Sequence, residues 1–223
     1  MVNIKFGTDG WRAIIADTYT IDNVRRVAAG TAKWMNSKGY STVVVGHDSR
    51  FGGEMFLKAI TEIFCFHGIK VLYALDFVST PMVSLGVVKL KADLGIVITA
   101  SHNPPSYNGY KLKSHFGGPS SPAEITEVEN LIPESWDTPT PSFETYVNQG
   151  LASSVPLEDM YVNHAEACFD LNLIKKSGLK IAYDAMYGAG QRAMLRLLPD
   201  VLPLHCEYNP SFMGQAPEPI GKN

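Results

Sequence analysis

Ser101, His102 and Asn103 place a hydroxyl, an imidazole and an amide side by side, and Lys111 and Lys113 follow shortly after. A serine hydroxyl among cations suits phosphoryl transfer, because positive groups offset the charge on a transferring phosphoryl group. The apolar stretch Leu94–Ile98 precedes this cluster and reads as a buried strand. Open α/β sheets place their ligand chemistry at the ends of such strands. Pro104 and Pro105 stiffen the polar segment, and Asn108-Gly109 predicts a tight turn across which Lys111 could fold back toward Ser101. An amine of ordinary pKa, about 10.4, needs altered surroundings before it can accept a proton. His102 could orient the serine or a substrate, or simply hydrogen-bond the loop. The plainer alternative is a polar loop with an N-cap serine.

Two more clusters follow the same logic. Phe6-Gly7-Thr8-Asp9-Gly10-Trp11-Arg12 carries a turn signal and an arginine, whose fork of donors suits phosphate. An N-terminal hairpin with a surface arginine would look the same. Gly46-His47-Asp48-Ser49-Arg50 follows the apolar run Thr42 to Val45. There Asp48 and Arg50 could pair, or Arg50 could orient neighbouring backbone, and a structural role is favoured. Other chemistries find no support. Thr99 and Asn103 stand where a hydrolase elbow around Ser101 needs glycines. The sequence has no Walker loop, and Gly188-Ala189-Gly190 lacks the later glycine of a dinucleotide fingerprint.

Alternating elements must position these clusters. Helical spacing predicts helices over Ile21–Met35, Glu54–Phe66, Pro81–Leu90 (with Thr80 as cap) and Pro122–Leu131. Strands are expected at Thr42–Val45, Ile69–Leu75 and Leu94–Thr99, with a short one at Gly109–Leu112. The β-α-β rhythm predicts an α/β fold over residues 1–135: a mixed, mainly parallel sheet sandwiched by helices. Pro133, Pro139, Pro141 and Pro156 among Ser, Thr and Gly predict a linker over 136–156, with a short helical piece near Phe143–Asn148. Residues 157–223 read as an incomplete second α/β domain of the same kind. It has helices at Leu157–Leu171 and Gln191–Leu198, strands at Leu179–Tyr183 and Val201–Glu207, and exposed apolar surface.

Composition sets the broad class. The chain has 223 residues, 45% hydrophobic and 18% charged, with a net charge of −3. That charge argues against nucleic acid as a partner. No apolar run approaches a membrane span, and the N-terminus lacks the apolar core of a signal peptide. Cys65, Cys168 and Cys206 are odd in number and far apart, which suggests neither a disulfide framework nor a metal knuckle. A reducing, cytoplasmic setting is expected. No feature sets an oligomeric state.

Thr99-Ala100-Ser101-His102-Asn103-Pro104, followed by Tyr107-Asn108-Gly109-Tyr110-Lys111, resembles the phosphoserine loop of the α-D-phosphohexomutases. Phe6 to Arg12 resembles their N-terminal active-site segment, Gly46 to Arg50 their Gly-x-Asp-Ser-Arg turn, and Asp184 to Gly190 the start of their second domain. The loop wording from Asn103 to Gly109 is closer to phosphoglucomutase/phosphomannomutase members than to phosphoglucosamine mutases. The resemblance implies that Ser101 carries a phosphoryl group and exchanges it with a hexose phosphate substrate through a bisphosphorylated sugar. It implies Lys111 as general base, Arg12 as a charge clamp and His102 as an aid at the phosphoserine. Thr8, Arg12, Asn103 and Lys111 would bind the substrate's phosphate. Ser101 would ligate Mg²⁺, with the remaining ligands expected beyond residue 223, and hexose 1,6-bisphosphate would act as activator. The family's Asp-Gly-Asp-x-Asp-Arg metal loop, Glu-x-Ser-Gly sugar loop and Arg-x-Ser-Gly-Thr phosphate loop are absent. The expectation is therefore the N-terminal portion of a phosphohexomutase, inactive alone. The alternative is a naturally short, non-catalytic sugar-phosphate binding or interaction module.

Overall fold

In the computed structural model, which describes residues 2–7 and 10–220, the apolar runs become the middle of a sheet. Its strands are β1 (Trp11–Ile14), β2 (Thr42–His47), β3 (Lys70–Ala74), β4 (Leu94–Ile98), β5 (Tyr107–Ser114) and β6 (Ala152–Val155). They lie in the order β1-β5-β4-β2-β3-β6. β4, β2, β3 and β6 run parallel, while β5 and β1 are antiparallel to their neighbours. The helices are α1 (Ile21–Ser37), α2 (Gly53–Phe66), α3 (Thr80–Leu90), α4 (Pro122–Glu129), α5 (Phe143–Asn148), α6 (Leu157–Cys168), α7 (Leu171–Lys176) and α8 (Gln191–Leu197). A separate parallel pair, β7 (Ala182–Asp184) and β8 (Leu202–Leu204), belongs to the second unit. The fold is α/β: a mixed, mainly parallel six-stranded sheet with helices on both faces, followed by a partial second α/β unit.

Strand side chains alternate between two cores. Val43, Val45, Leu94, Ile96 and Ile98 join residues of α1, α2, α4 and α5 on one face. Val44 and Val97 join α3 on the other, where Leu157 and Val162 of α6 and Ala193 of α8 complete the packing. The second unit thus closes one face of the first sheet. Its own outer side leaves Phe169, Leu173, Leu179 and Leu202 exposed. Among the described residues, no helix is long and apolar enough to cross a membrane.

Four local expectations change. Asn108 and Gly109 form no turn: both lie within β5, and the chain reverses earlier, where Tyr107 N donates to the Pro104 carbonyl at 3.0 Å. Gly109 answers a packing demand instead, because a Cβ there would meet the Thr99 carbonyl oxygen and sit 2.9 Å from the Trp11 carbonyl oxygen. Residues 152–155 are not linker but β6, parallel to β3, while α5 before it buries Tyr146. The prolines that suggested a linker lie at 133, 139, 141 and 156, outside α5 and β6. The cap of α3 is Ser79, one residue before Thr80. The helix expected over Leu157–Leu171 stops at Cys168, and the Asp170 side chain caps a new helix, α7, by accepting from Leu173 N at 3.0 Å.

Candidate active site

The chain leaves β2 through α2 toward β3 on one side of the sheet, and leaves β4 through the serine loop toward β5 on the other. The connections leaving β2 and β4 therefore diverge, and a crevice opens between the carboxyl ends of these strands. The turn 48–50 follows β2 there, and the serine loop, residues 99–106, follows β4.

Ser101 is exposed and has φ of 58°. That left-handed conformation costs a non-glycine residue roughly 1–2 kcal/mol, so the surroundings must hold it. Its amide donates to Thr99 Oγ1 at 3.0 Å, and Thr99 Oγ1 donates to Asp48 Oδ2 at 2.5 Å. Arg50, only 1% exposed, serves the loop's carbonyls. Its Nη1 donates to Pro104 O at 2.8 Å and Tyr107 O at 3.1 Å. Its Nη2 donates to Ser101 O at 2.8 Å and Asn103 O at 2.7 Å. Arg50 Nε lies 3.3 Å from Asp48 Oδ2, an ion-pair distance without hydrogen-bond geometry. Burial pushes the Asp48 carboxyl above its ordinary pKa and is opposed by the Arg50 charge. Burial likewise lowers Arg50, opposed by Asp48. Both shifts follow the rule that a low-dielectric site disfavours the charged form unless a partner compensates.

Of the other residues named from sequence, His102 and Arg12 touch this loop. His102 Nδ1 is 3.4 Å from Ser101 Oγ. Arg12, on β1, donates through Nη1 to Asn103 Oδ1 at 2.7 Å. Lys111 is buried on β5, in register with Val97 of β4, one strand over from the loop's root. Thr8, expected to bind phosphate, and its neighbour Asp9 lie outside the described residues.

The second unit forms the far wall. A cleft of about 330 Å³ lies between Ser101 and Thr99 on one side and Asp184, Ala185 and Phe212 on the other. Ser49 Oγ donates to Tyr187 O at 2.8 Å, and the Phe212 ring covers Arg50, its centroid 5.0 Å from the guanidinium carbon. Farther out, Arg192 bridges the units. It donates to Glu158 at 2.7 Å, to Asp76 at 2.6 Å and to Phe77 O at 2.7 Å, and lies over the Phe77 ring at 3.9 Å. Neither Phe212 nor Arg192 stands out in the sequence. The only available signal was charge: Arg192 and Arg196 lie four apart on α8, and Glu158 and Asp159 lie on α6.

A resident Mg²⁺ fits these residues poorly. The ion wants near-octahedral oxygen ligation with carboxylate help. Ser101 Oγ offers one oxygen, and Asp48 is already held by Thr99 and Arg50. Among the described residues, no group of three or more His, Cys, Asp or Glu could hold a metal ion.

Comparison with known proteins agrees with this layout. Residues 3–137 match the family profile described as phosphoglucomutase/phosphomannomutase, alpha/beta/alpha domain I, and residues 159–223 match domain II. A phosphoglucosamine mutase of Leuconostoc citreum is 34% identical over 98% of this chain and 46% of its own length. A phosphoglucomutase of Staphylococcus haemolyticus is 30% identical over 94% of this chain and 40% of its own. A crystal structure described as a phosphomannomutase from Thermus thermophilus superposes with a TM-score of 0.89 at 33% identity, covering 99% of this chain and 50% of that one. The chain spans about half the length of the curated relatives it matches. The phosphoglucosamine mutases of Leuconostoc citreum and Leuconostoc mesenteroides, each 34% identical, match at least as well as the relatives named for other sugars, so the leaning away from phosphoglucosamine mutases gains no support.

Proposed function

The chain belongs to the phosphoglucomutase/phosphomannomutase family, and from that premise we propose that it supplies the phosphoserine half of a hexose-phosphate mutase site. The observation that carries this reading is Ser101: an exposed hydroxyl on a loop held in a left-handed conformation at the crevice of the sheet. In the proposed step, the bond between phosphorus and Ser101 Oγ breaks as a bond forms from phosphorus to a sugar hydroxyl oxygen. The hydroxyl proton leaves to a base, for which Lys111 is the candidate, and that proton passes on to the departing serine oxygen, with His102 beside it, so that none is gained or lost. Arg12 and Asn103, already paired, would hold the substrate's phosphate near the loop. Return of the sugar's other phosphoryl group to Ser101 would complete an interconversion of hexose 1-phosphate and hexose 6-phosphate. No step is routed through Mg²⁺, since the described residues do not assemble its ligands. For the same reason we expect transfer at Ser101 to be slow in this chain alone, enough for a single loading event but not for measurable mutase turnover. The three cysteines are free, in keeping with the proposed cytoplasmic setting.

Intact mass spectrometry tests the reading. After incubation with glucose 1,6-bisphosphate, the chain should gain a single phosphoryl group, roughly 80 Da, located at Ser101 by fragmentation and absent from Ser101→Ala. A chain that takes up no phosphate at Ser101 but still binds hexose phosphate would establish the non-catalytic binding module instead. Sustained mutase turnover by this chain, lost in Ser101→Ala, would overturn the expectation of an incomplete site.

A further inference from the structure

We propose that the turn Asp48-Ser49-Arg50 is the positioning element for Ser101, fixing the direction in which its hydroxyl meets the phosphoryl group. This rests on the reading of Ser101 as phosphoryl carrier. Arg50 itself has no access to a substrate, because its side chain is fully buried. A guanidinium carries five N–H donors in a rigid fork. The four terminal ones all go to carbonyls of one short segment, those of Ser101, Asn103, Pro104 and Tyr107. Ser101, Asn103 and Pro104 lie outside the strands and Tyr107 is the first residue of β5, so for the loop carbonyls the arginine takes the place of a ladder.

Ser101 is gripped on both sides. Its carbonyl is held by Arg50 and its amide by Thr99 Oγ1, which is itself held by Asp48. With both peptide groups fixed, φ stays at 58°. Were the residue to relax to an ordinary right-handed or extended backbone, its Cα–Cβ bond would swing away and the hydroxyl with it. The ion pair with Asp48 also absorbs the guanidinium charge, so Arg50 acts through geometry rather than by attracting phosphate. Lysine cannot substitute, since an ammonium has three donors and no planar fork.

The test uses the full chain in four forms: wild type, Arg50→Lys, Thr99→Val and Thr99→Ser. Two readouts are followed, hydrogen exchange of the loop amides at 101, 103 and 107, and the rate of phosphoryl uptake from glucose 1,6-bisphosphate by intact mass. In Arg50→Lys, loop exchange should quicken and maximal uptake should slow, each by about tenfold, the effect of one net hydrogen bond to a charged group. The half-saturating donor concentration should stay unchanged, which separates positioning from substrate binding. Thr99→Val should behave like Arg50→Lys, and Thr99→Ser, which keeps the hydroxyl, should behave like wild type. Wild-type exchange and uptake in a folded Arg50→Lys would overturn the proposal. Should Arg50→Lys fail to fold, the two Thr99 variants decide: equal behaviour of Val and Ser overturns it. If the wild type takes up no phosphoryl group, the carrier reading fails. Loop exchange then decides positioning alone, unchanged protection overturning it and faster exchange supporting it.

Discussion

Truncation of Leu157 to alanine should destabilise the first unit even though Leu157 belongs to the second. Leu157 is 1% exposed and shares a core with Val44, Val83 and Val87. Its Cδ2 fills the space over Gly86, lying 2.5 Å from where a Cβ on that glycine would stand. Leu157→Ala removes three carbons, a transfer loss of about 2.4 kcal/mol at 0.8 per methylene. The cavity left behind brings the expected cost to about 3–4 kcal/mol. For a chain of this size each kcal/mol lowers Tm by about 2–4 °C, so a fall of roughly 10 °C is expected. The three tryptophans make the assay selective. Trp11 and Trp34 are in the core on the opposite face of the sheet, and Trp136 packs against that core. Tryptophan fluorescence therefore reports the first unit alone, whereas far-ultraviolet circular dichroism reports both. In Leu157→Ala the two transitions should move together. A fluorescence transition that stays in place while only part of the dichroism shifts would refute the claim that α6 is integral to the first core.

Gly109→Ala should cost about 1–3 kcal/mol in urea unfolding, because its Cβ would press on the backbone carbonyls of Thr99 and Trp11, neither of which can step aside. A loss below about 0.5 kcal/mol, the range of an ordinary surface change, would show that the strands on either side yield. A second prediction concerns pH. Burial, with a smaller contribution from Lys33, holds the His67 imidazole below its ordinary pKa of 6.5. The unfolded chain then binds more protons between that depressed value and 6.5, so this contribution to stability is complete above 6.5 and lost as pH falls through the window. Thermal melts across the window should show the slope in wild type and a shallower one in His67→Gln. Equal slopes would rule out His67 as its source.

What the sequence revealed follows from how each segment is buried. β2 and β4 are covered on both faces, so their apolar runs stand out without any alternation. β6 could not be read this way. Ala152-Ser153-Ser154-Val155 is an edge strand with one neighbour, and its pairing with β3 comes from the sheet rather than from its own composition. Asn108-Gly109 misled for a different reason. The pair has a strong local turn preference, but β5 runs between β4 and β1 and needs a residue without Cβ at that point. In the site, Ser101, His102 and Asn103 were legible because they are adjacent in sequence. The contact of Arg12 with Asn103 spans 91 residues, and that of Arg50 with Asn103 spans 53, so only the folded sheet brings them together.

The same distance bears on why a buried charge pair sits beneath the serine loop at all. A buried ion pair is weak support for stability, since desolvation consumes much of the Coulombic gain. Its hydrogen bonds matter only while water is kept out, because water would compete for the same four carbonyls. Part of that exclusion comes from Phe212, 3% exposed and stacked over Arg50, and Phe212 belongs to the second unit. Ser49, between Asp48 and Arg50, is bonded to Tyr187 of that unit as well. The order of the serine loop and the docking of the second unit therefore depend on one three-residue turn. A change that loosens docking, such as Leu157→Ala, acts through the core that α6 shares with α3. Any water it admits at Phe212 would compete with the carbonyls that Arg50 holds and so weaken the grip on Ser101.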